Sequence, residues 1–257
     1  MKLGRIVLAR GHRFCRLPGC LFVSLAPVLL TGSLACGQIV RFETSAGNFD
    51  VVLKPTNHAR LQGHVDNFLQ YVTSGRYDGT VINRADENFV LQMGLYRTDG
   101  SEIPDTVSGF LPIEAFAPVM GVPALEVGLS NTVGTVGLAL TGGPQGTNLD
   151  SGTSSFFINL GNNSSLDDDF AVFARVPDMT TINNIMSLSQ VDLTTDPDFG
   201  AGPVNLAFSD VPLLSNGDLV IVSRAFVVPE PSWSALLLAF FTFSAWRAPR
   251  PSHVAID

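Results

Sequence analysis

The order of apolar and polar positions changes period several times along the chain, and each change marks an element. In residues 38–53, Ile39, Val40 and Phe42 precede a turn at Ser45-Ala46-Gly47-Asn48, and Phe49, Val51 and Leu53 follow it. Period-two spacing on both sides of a turn predicts a hairpin of two half-buried strands. In residues 59–74 the apolar positions Leu61, Val65, Phe68, Leu69 and Val72 form one helical stripe, and Gly75 closes it. That predicts an amphipathic helix lying on a sheet. The segment 81–96 returns to strand pattern, with Val81, Phe89 and Leu91 flanking two polar residues, Arg84 and Gln92. Residues 97–127 are rich in Pro, Gly and acids and read as a long loop with little pattern. Strands are expected over 131–140, 155–160, 170–176 and 219–228. A turn-rich loop fills 141–153, and a helix over 177–189 takes Asp178 as its N-cap. Many short strands, two helices and no strand–helix–strand rhythm predict a mostly β chain closed into a barrel.

Composition agrees. Of 257 residues, 46% are hydrophobic and 15% charged, with 24 Gly and 16 Pro, which suits a loop-rich β protein rather than a coiled coil or a disordered chain. The formal net charge is -8. Lys2, Arg5, Arg10, Arg13 and Arg16 all precede the first acid, Glu43, so loss of those five cations takes the net charge to -13. Such a surface repels phosphate backbones, and nucleic acid is not an expected partner. The three cysteines, Cys15, Cys20 and Cys36, lie at the N-terminal end, which leaves the body without a disulfide framework or a cysteine zinc site. The four histidines are not at a metal-binding spacing. The acidic run 167–169 lacks the alternation of a calcium loop and reads as a solvated turn, so no metal or other cofactor is expected.

Both ends read as address signals. A basic start, an apolar run over 20–30 and the small residues Thr31-Gly32-Ser33-Leu34-Ala35-Cys36-Gly37 fit a secretory signal peptide over 1–37. Lipid attachment at Cys36 is the alternative reading, weakened by Ser33 where a leucine is usual. At the other end Pro229-Glu230-Pro231 precedes fourteen uncharged residues, 233–246, and then Arg247 and Arg250. This arrangement over 229–250 resembles PEP-CTERM sorting signals, with 251–257 a short tail. The resemblance implies recognition by exosortase-type sorting machinery in the inner membrane. The expected location is therefore exported, in the periplasm, cell envelope or cell surface of a Gram-negative-type bacterium, with the C-terminal segment transiently or stably in the membrane.

The body, 38–228, carries a second resemblance. Arg84, Phe89 and Gln92, then Ser154-Ser155-Phe156-Phe157-Ile158, then Leu166 and Phe170 follow one another in the order and spacing of the cyclophilin family. The resemblance spans roughly 39–226. It implies a closed eight-stranded antiparallel barrel capped by two α-helices, acting as a monomer without cofactor on proline-containing polypeptides. It also implies roles: Arg84 and Gln92 catalytic, with Phe89, Val90, Phe157, Leu166 and Phe170 binding the substrate, Phe157 at the floor of a proline pocket. The sequence departs from the family pattern at Asn83, at the acids Asp86 and Glu87, at Met93, at Ser155 and at Ser165. Asp86 and Glu87 stand close enough in sequence to pair with Arg84.

An X-Pro bond turns over slowly because amide resonance imposes a barrier of ~18–20 kcal/mol. Catalysis needs no nucleophile or metal, only a surface that fits the twisted amide better than the planar one. A cationic donor aimed at the prolyl nitrogen does this. The expected function is an exported prolyl isomerase that assists folding of exported or surface proteins. The alternatives are a catalytically weak cyclophilin-fold module that binds proline-containing segments, and a structural surface protein on an unrelated β scaffold.

Overall fold

The computed structural model describes residues 37–54, 58–143, 146–194, 198 and 205–229. Eight strands form the body: β1 (Ile39–Thr44), β2 (Gly47–Leu53), β3 (Thr80–Ala85), β4 (Val90–Arg97), β5 (Thr135–Leu138), β6 (Phe156–Asn159), β7 (Val172–Arg175) and β8 (Val222–Val227). Their spatial order is β8-β1-β2-β7-β5-β6-β4-β3, with antiparallel pairing throughout. The two ends of that order approach each other. Gly79 N donates to Val222 O at 2.8 Å and Ile82 N to Val220 O at 3.0 Å, and Val81 bridges Ile221. The sheet is thus a nearly closed barrel, as expected.

The strands form where the period-two pattern demands it. In β1, Val40, Phe42 and Thr44 are buried while Arg41 and Glu43 are half-exposed. Arg41 pairs directly with Asp50 across the hairpin, its Nε and Nη2 donating to the carboxylate at 2.8 and 2.9 Å. A slip of one residue would reverse both faces, so burial fixes the register. Inside the barrel Phe42, Phe68, Tyr77, Phe156 and Phe173 make a continuous aromatic core, with ring centroids 5.2 Å apart for Phe68–Phe156 and 5.3 Å for Phe68–Phe173.

Two helices cover this core. Helix α1 (Gln62–Thr73) turns Val65, Phe68 and Val72 inward, as the spacing predicts, and adds Tyr71 to the buried face, while Leu69 stays half-buried. Helix α2 (Thr180–Met186) buries Ile182 and Ile185. Asp178 acts one position earlier than a strict N-cap: Met179 holds the cap position, and Asp178 Oδ1 accepts from Thr180 N at 2.9 Å.

Two expectations need correction. Residues 97–127 are not a patternless loop. They contain a short strand, Leu111–Pro112, on the end of β4 and a single helical turn, Ala124–Val127, and Phe110, Ile113, Val122 and Val127 are buried. Asp167 is not part of a solvated turn. It is 7% exposed, and its carboxylate accepts from Asn131 N at 2.8 Å, from Asn131 Nδ2 at 2.9 Å and from Ser130 Oγ. Burial works to raise the Asp167 carboxyl pKa, but these three hydrogen bonds outweigh it and hold the group below its usual range. A short antiparallel pair, Ser189–Val191 with Val211–Leu213, was not legible in the polar stretch before the last strand.

Among the described residues no helix is long and apolar enough to cross a membrane, and no three of His, Cys, Asp and Glu gather as metal ligands. Apart from Gly37 and Pro229, the signal segment 1–37, the sorting segment 229–250 and the tail 251–257 lie outside the described residues.

Candidate functional site

Four neighbouring strands set the site out in a row. In register, Arg84 on β3 faces Gln92 on β4, Gln92 faces Phe157 on β6, and Phe157 faces Gly137 on β5. Strand alternation separates this row from Leu91, Met93, Phe156 and Ile158, which fill the barrel interior. The row therefore lies on the outer face. Even so, Phe157 and Val90 are only 4% and 3% exposed, and neither belongs to the barrel's hydrophobic clusters. An apolar patch is buried on the outside of the barrel.

Close approach makes that burial possible. A Cβ at position 137 would stand 2.7 Å from Phe157 Cζ, so glycine there lets the ring lie against the strand. Phe170 packs edge-on to Phe157 with centroids 5.6 Å apart. The turn carrying Phe170 also carries Leu166: Phe170 N donates to Leu166 O at 2.9 Å, and both side chains are half-buried.

Arg84 forms the polar end of the row. Its side chain is 22% exposed and its Cζ lies 5.3 Å from the centre of the Phe89 ring. Nε donates to Asp86 Oδ2 at 2.7 Å and to Ser209 Oγ at 3.1 Å, and Nη2 donates to the same Asp86 oxygen. A second carboxyl, Asp210, adjoins Asp86. Burial first, then the hydrogen bond and repulsion from Asp86, push the Asp210 pKa up, while Arg84 opposes the rise. Gln92 is held as well, its Nε2 donating to Ser155 Oγ at 3.1 Å.

Beneath the patch runs a chain of amides. Asn131 Nδ2 donates to Phe170 O at 2.9 Å, Asn159 Nδ2 to Asn131 Oδ1 at 3.0 Å, and Asn163 Nδ2 to Asn159 Oδ1 at 2.7 Å and Phe89 O at 2.8 Å. Asn131, Asn159 and Asn163 are all buried, so each bond is made where an unpaired amide is costly. The network joins the backbone at Phe89 to the backbone at Phe170.

All seven sequence-derived site residues fall in this region. Arg84, Gln92 and Phe157 share the row, Phe89 and Phe170 contact its two ends, Val90 is on the face of Gln92, and Leu166 shares a turn with Phe170. The departures have local explanations. Met93 points into the core. Asn83 Nδ2 donates to Ala207 O at 2.5 Å, anchoring the turn that brings Ser209 to Arg84. Ser155 holds Gln92, whereas Ser165 and Glu87 are exposed. Ser209 and the three asparagines had no signal in the sequence, because each acts through contacts with distant residues.

The family model described as cyclophilin type peptidyl-prolyl cis-trans isomerase/CLD matches residues 39–199. A peptidyl-prolyl cis-trans isomerase of Acinetobacter baylyi is 31% identical over 159 residues, covering 60% of this chain and 74% of that protein. A Streptomyces antibioticus peptidyl-prolyl cis-trans isomerase is 34% identical over 145 residues, 53% of this chain and 75% of its own. Peptidyl-prolyl cis-trans isomerase B of Escherichia coli is 31% identical over 160 residues, 59% of this chain and 85% of that relative. Among solved structures, a cyclophilin-type isomerase of Cryptosporidium parvum superposes with a TM-score of 0.51 at 18% identity, covering 76% of this chain and 99% of that one, a likeness of fold alone. Sequence match and barrel architecture agree: this chain belongs to the cyclophilin-type peptidyl-prolyl cis-trans isomerase family.

Proposed function

We propose that the chain is an exported prolyl isomerase in which Arg84 stabilises the twisted X-Pro amide and the Phe157 patch receives the proline ring. The observation that carries this reading is the row in which a guanidinium, an amide and a buried outer-face phenylalanine follow one another across adjacent strands. In the twisted state the prolyl nitrogen becomes pyramidal and its lone pair localises. A permanently charged donor beside it favours that state over the planar one, and the planar guanidinium has further N–H groups for a neighbouring carbonyl. Gln92, fixed by Ser155, supplies a second set of polar atoms next to Arg84. Phe157, Val90, Leu166 and Phe170 exclude water from the ring and hold it while the amide rotates.

The size of the task suits such a site. Uncatalysed isomerisation takes on the order of tens of seconds. Millisecond turnover requires four to five decades, roughly 6–7 kcal/mol of preferential stabilisation. The test is acceleration of the slow cis-to-trans phase of a proline peptide by the purified chain, at low temperature where the background is slow. Binding of that peptide without acceleration would favour the second reading, a binding module. The ion pair between Arg84 and Asp86, which engages the guanidinium before any substrate arrives, motivates that alternative.

For location, the basic start, the apolar run 20–30 and the terminal Pro-Glu-Pro, apolar and arginine sequence support export and sorting by an exosortase-type system. The clients are then proline-containing segments of exported or surface proteins. Cell fractionation checks this: recovery of full-length, unprocessed chain in the cytoplasm contradicts it.

A further inference from the structure

We propose that Asp86, braced by Ser209, is a positioning residue that sets the angle at which the Arg84 guanidinium meets the X-Pro amide; this rests on the isomerase reading above. A guanidinium is a flat fork with five N–H groups, and which edge a carboxylate occupies decides what is left for a substrate. Asp86 takes the side edge: Nε and Nη2 both donate to its Oδ2. Nη1 makes no hydrogen bond among the described residues. The carboxylate therefore fixes the plane of the fork through one edge, while Asp210 adjoins Asp86 and interacts electrostatically with Arg84.

The clamp is itself fixed. Ser209 Oγ accepts from Arg84 Nε at 3.1 Å and lies 3.2 Å from Asp86 Oδ1, so its hydroxyl closes a triangle with the ion pair. Asp86 sits in a tight turn, its N–H donating to Val90 O at 3.0 Å and its carbonyl accepting from Phe89 N at 3.1 Å. Ser209 is tied to β3 from across the chain: Ala85 N donates to Ser209 O at 3.3 Å, two residues beyond the Asn83–Ala207 bond. On the other side the Phe89 ring limits the swing of the fork. An arginine on a strand ordinarily samples many rotamers, and the clamp selects one before substrate binds, as preorganised electrostatic catalysis requires.

The opposite role, a carboxylate that competes with substrate, makes the opposite prediction in the same variant. On the whole chain, Asp86→Ala should lower kcat/KM about tenfold, mainly through kcat, as expected when a catalytic group loses its aim. Asp86→Asn, which keeps an acceptor oxygen, should recover most of that loss. In an Arg84→Ala background, Asp86→Ala should cost nothing further, because Asp86 acts through Arg84. Ser209→Ala, which leaves the ion pair in place, should give a smaller drop and serves if Asp86→Ala does not fold. A rise or no change in the single variants, or an equal loss with Arg84 already removed, overturns the proposal. A wild-type chain without acceleration fails the isomerase reading itself. An active wild type indifferent to Asp86→Ala and Ser209→Ala fails the positioning role alone.

Discussion

Gly137 sets the depth of the candidate proline pocket. With no side chain, it lets the Phe157 ring settle against β5, where a Cβ would meet Cζ at 2.7 Å. Gly137→Ala should therefore tilt Phe157, cost about 1–3 kcal/mol in denaturant unfolding and weaken proline-peptide binding. Unchanged peptide affinity would show that Phe157 is not the floor of the pocket. Residues of this kind differ in how openly the sequence displays them. Arg84, Gln92 and Phe157 could be read because a charged or amide group amid strand hydrophobics is conspicuous and their order matches a family pattern. Ser209 could not be read: it reaches Arg84 across 125 positions, and a lone serine in a polar stretch carries no period.

At the scale of elements, the pocket is a joint between two turns. Asn163, in the loop after β6, donates to the carbonyl of Phe89 in the turn after β3, and Leu160 N donates to that same carbonyl at 2.9 Å. Gly161 allows the approach, since a Cβ there would meet Asn88 O at 2.3 Å. Asn163→Ala leaves part of the Asn159–Asn131 chain without a donor and should cost about 1–3 kcal/mol. It should also loosen peptide binding, read by titration alongside urea unfolding. A stable variant with intact binding would mean that the amide chain does not support the pocket. The strands and helices were legible because burial imposes periods of two and 3.6 on the sequence. The 97–127 segment has no legible period because single anchors hold it: the Phe110 ring packs tilted against Phe208 with centroids 4.5 Å apart, and Phe116 N donates to Tyr71 OH at 2.7 Å. Isolated anchors among Pro and Gly produce no periodicity. The buried role of Asp167 was hidden similarly, since its partners Ser130 and Asn131 lie more than thirty residues earlier.

The molecule as a whole combines an acidic composition with a buried imidazole. His64 on α1 is 4% exposed, lies 6.3 Å from the Phe173 ring, and burial lowers its pKa to about 4. The unfolded value is near 6.5, so the folded state favours neutral imidazole. Stability is then fully present above pH 6.5 and is lost as pH falls toward 4. Between pH 7.5 and 4.5 this one group should remove about 2–3 kcal/mol. His64→Leu should flatten urea-unfolding stability across that interval; parallel curves for variant and wild type would contradict the assignment. The body should thus be most stable near neutral pH.

In the proposed mechanism one guanidinium carries the turnover. The most direct measurement compares kcat/KM for cis-to-trans conversion of a proline peptide between the wild-type chain and Arg84→Ala, with peptide affinity measured in parallel. The variant should lose about 10²–10³-fold with affinity little changed, as for removal of one preorganised donor. Equal rates in an active, folded pair would contradict the mechanism and place the chemistry elsewhere in the barrel.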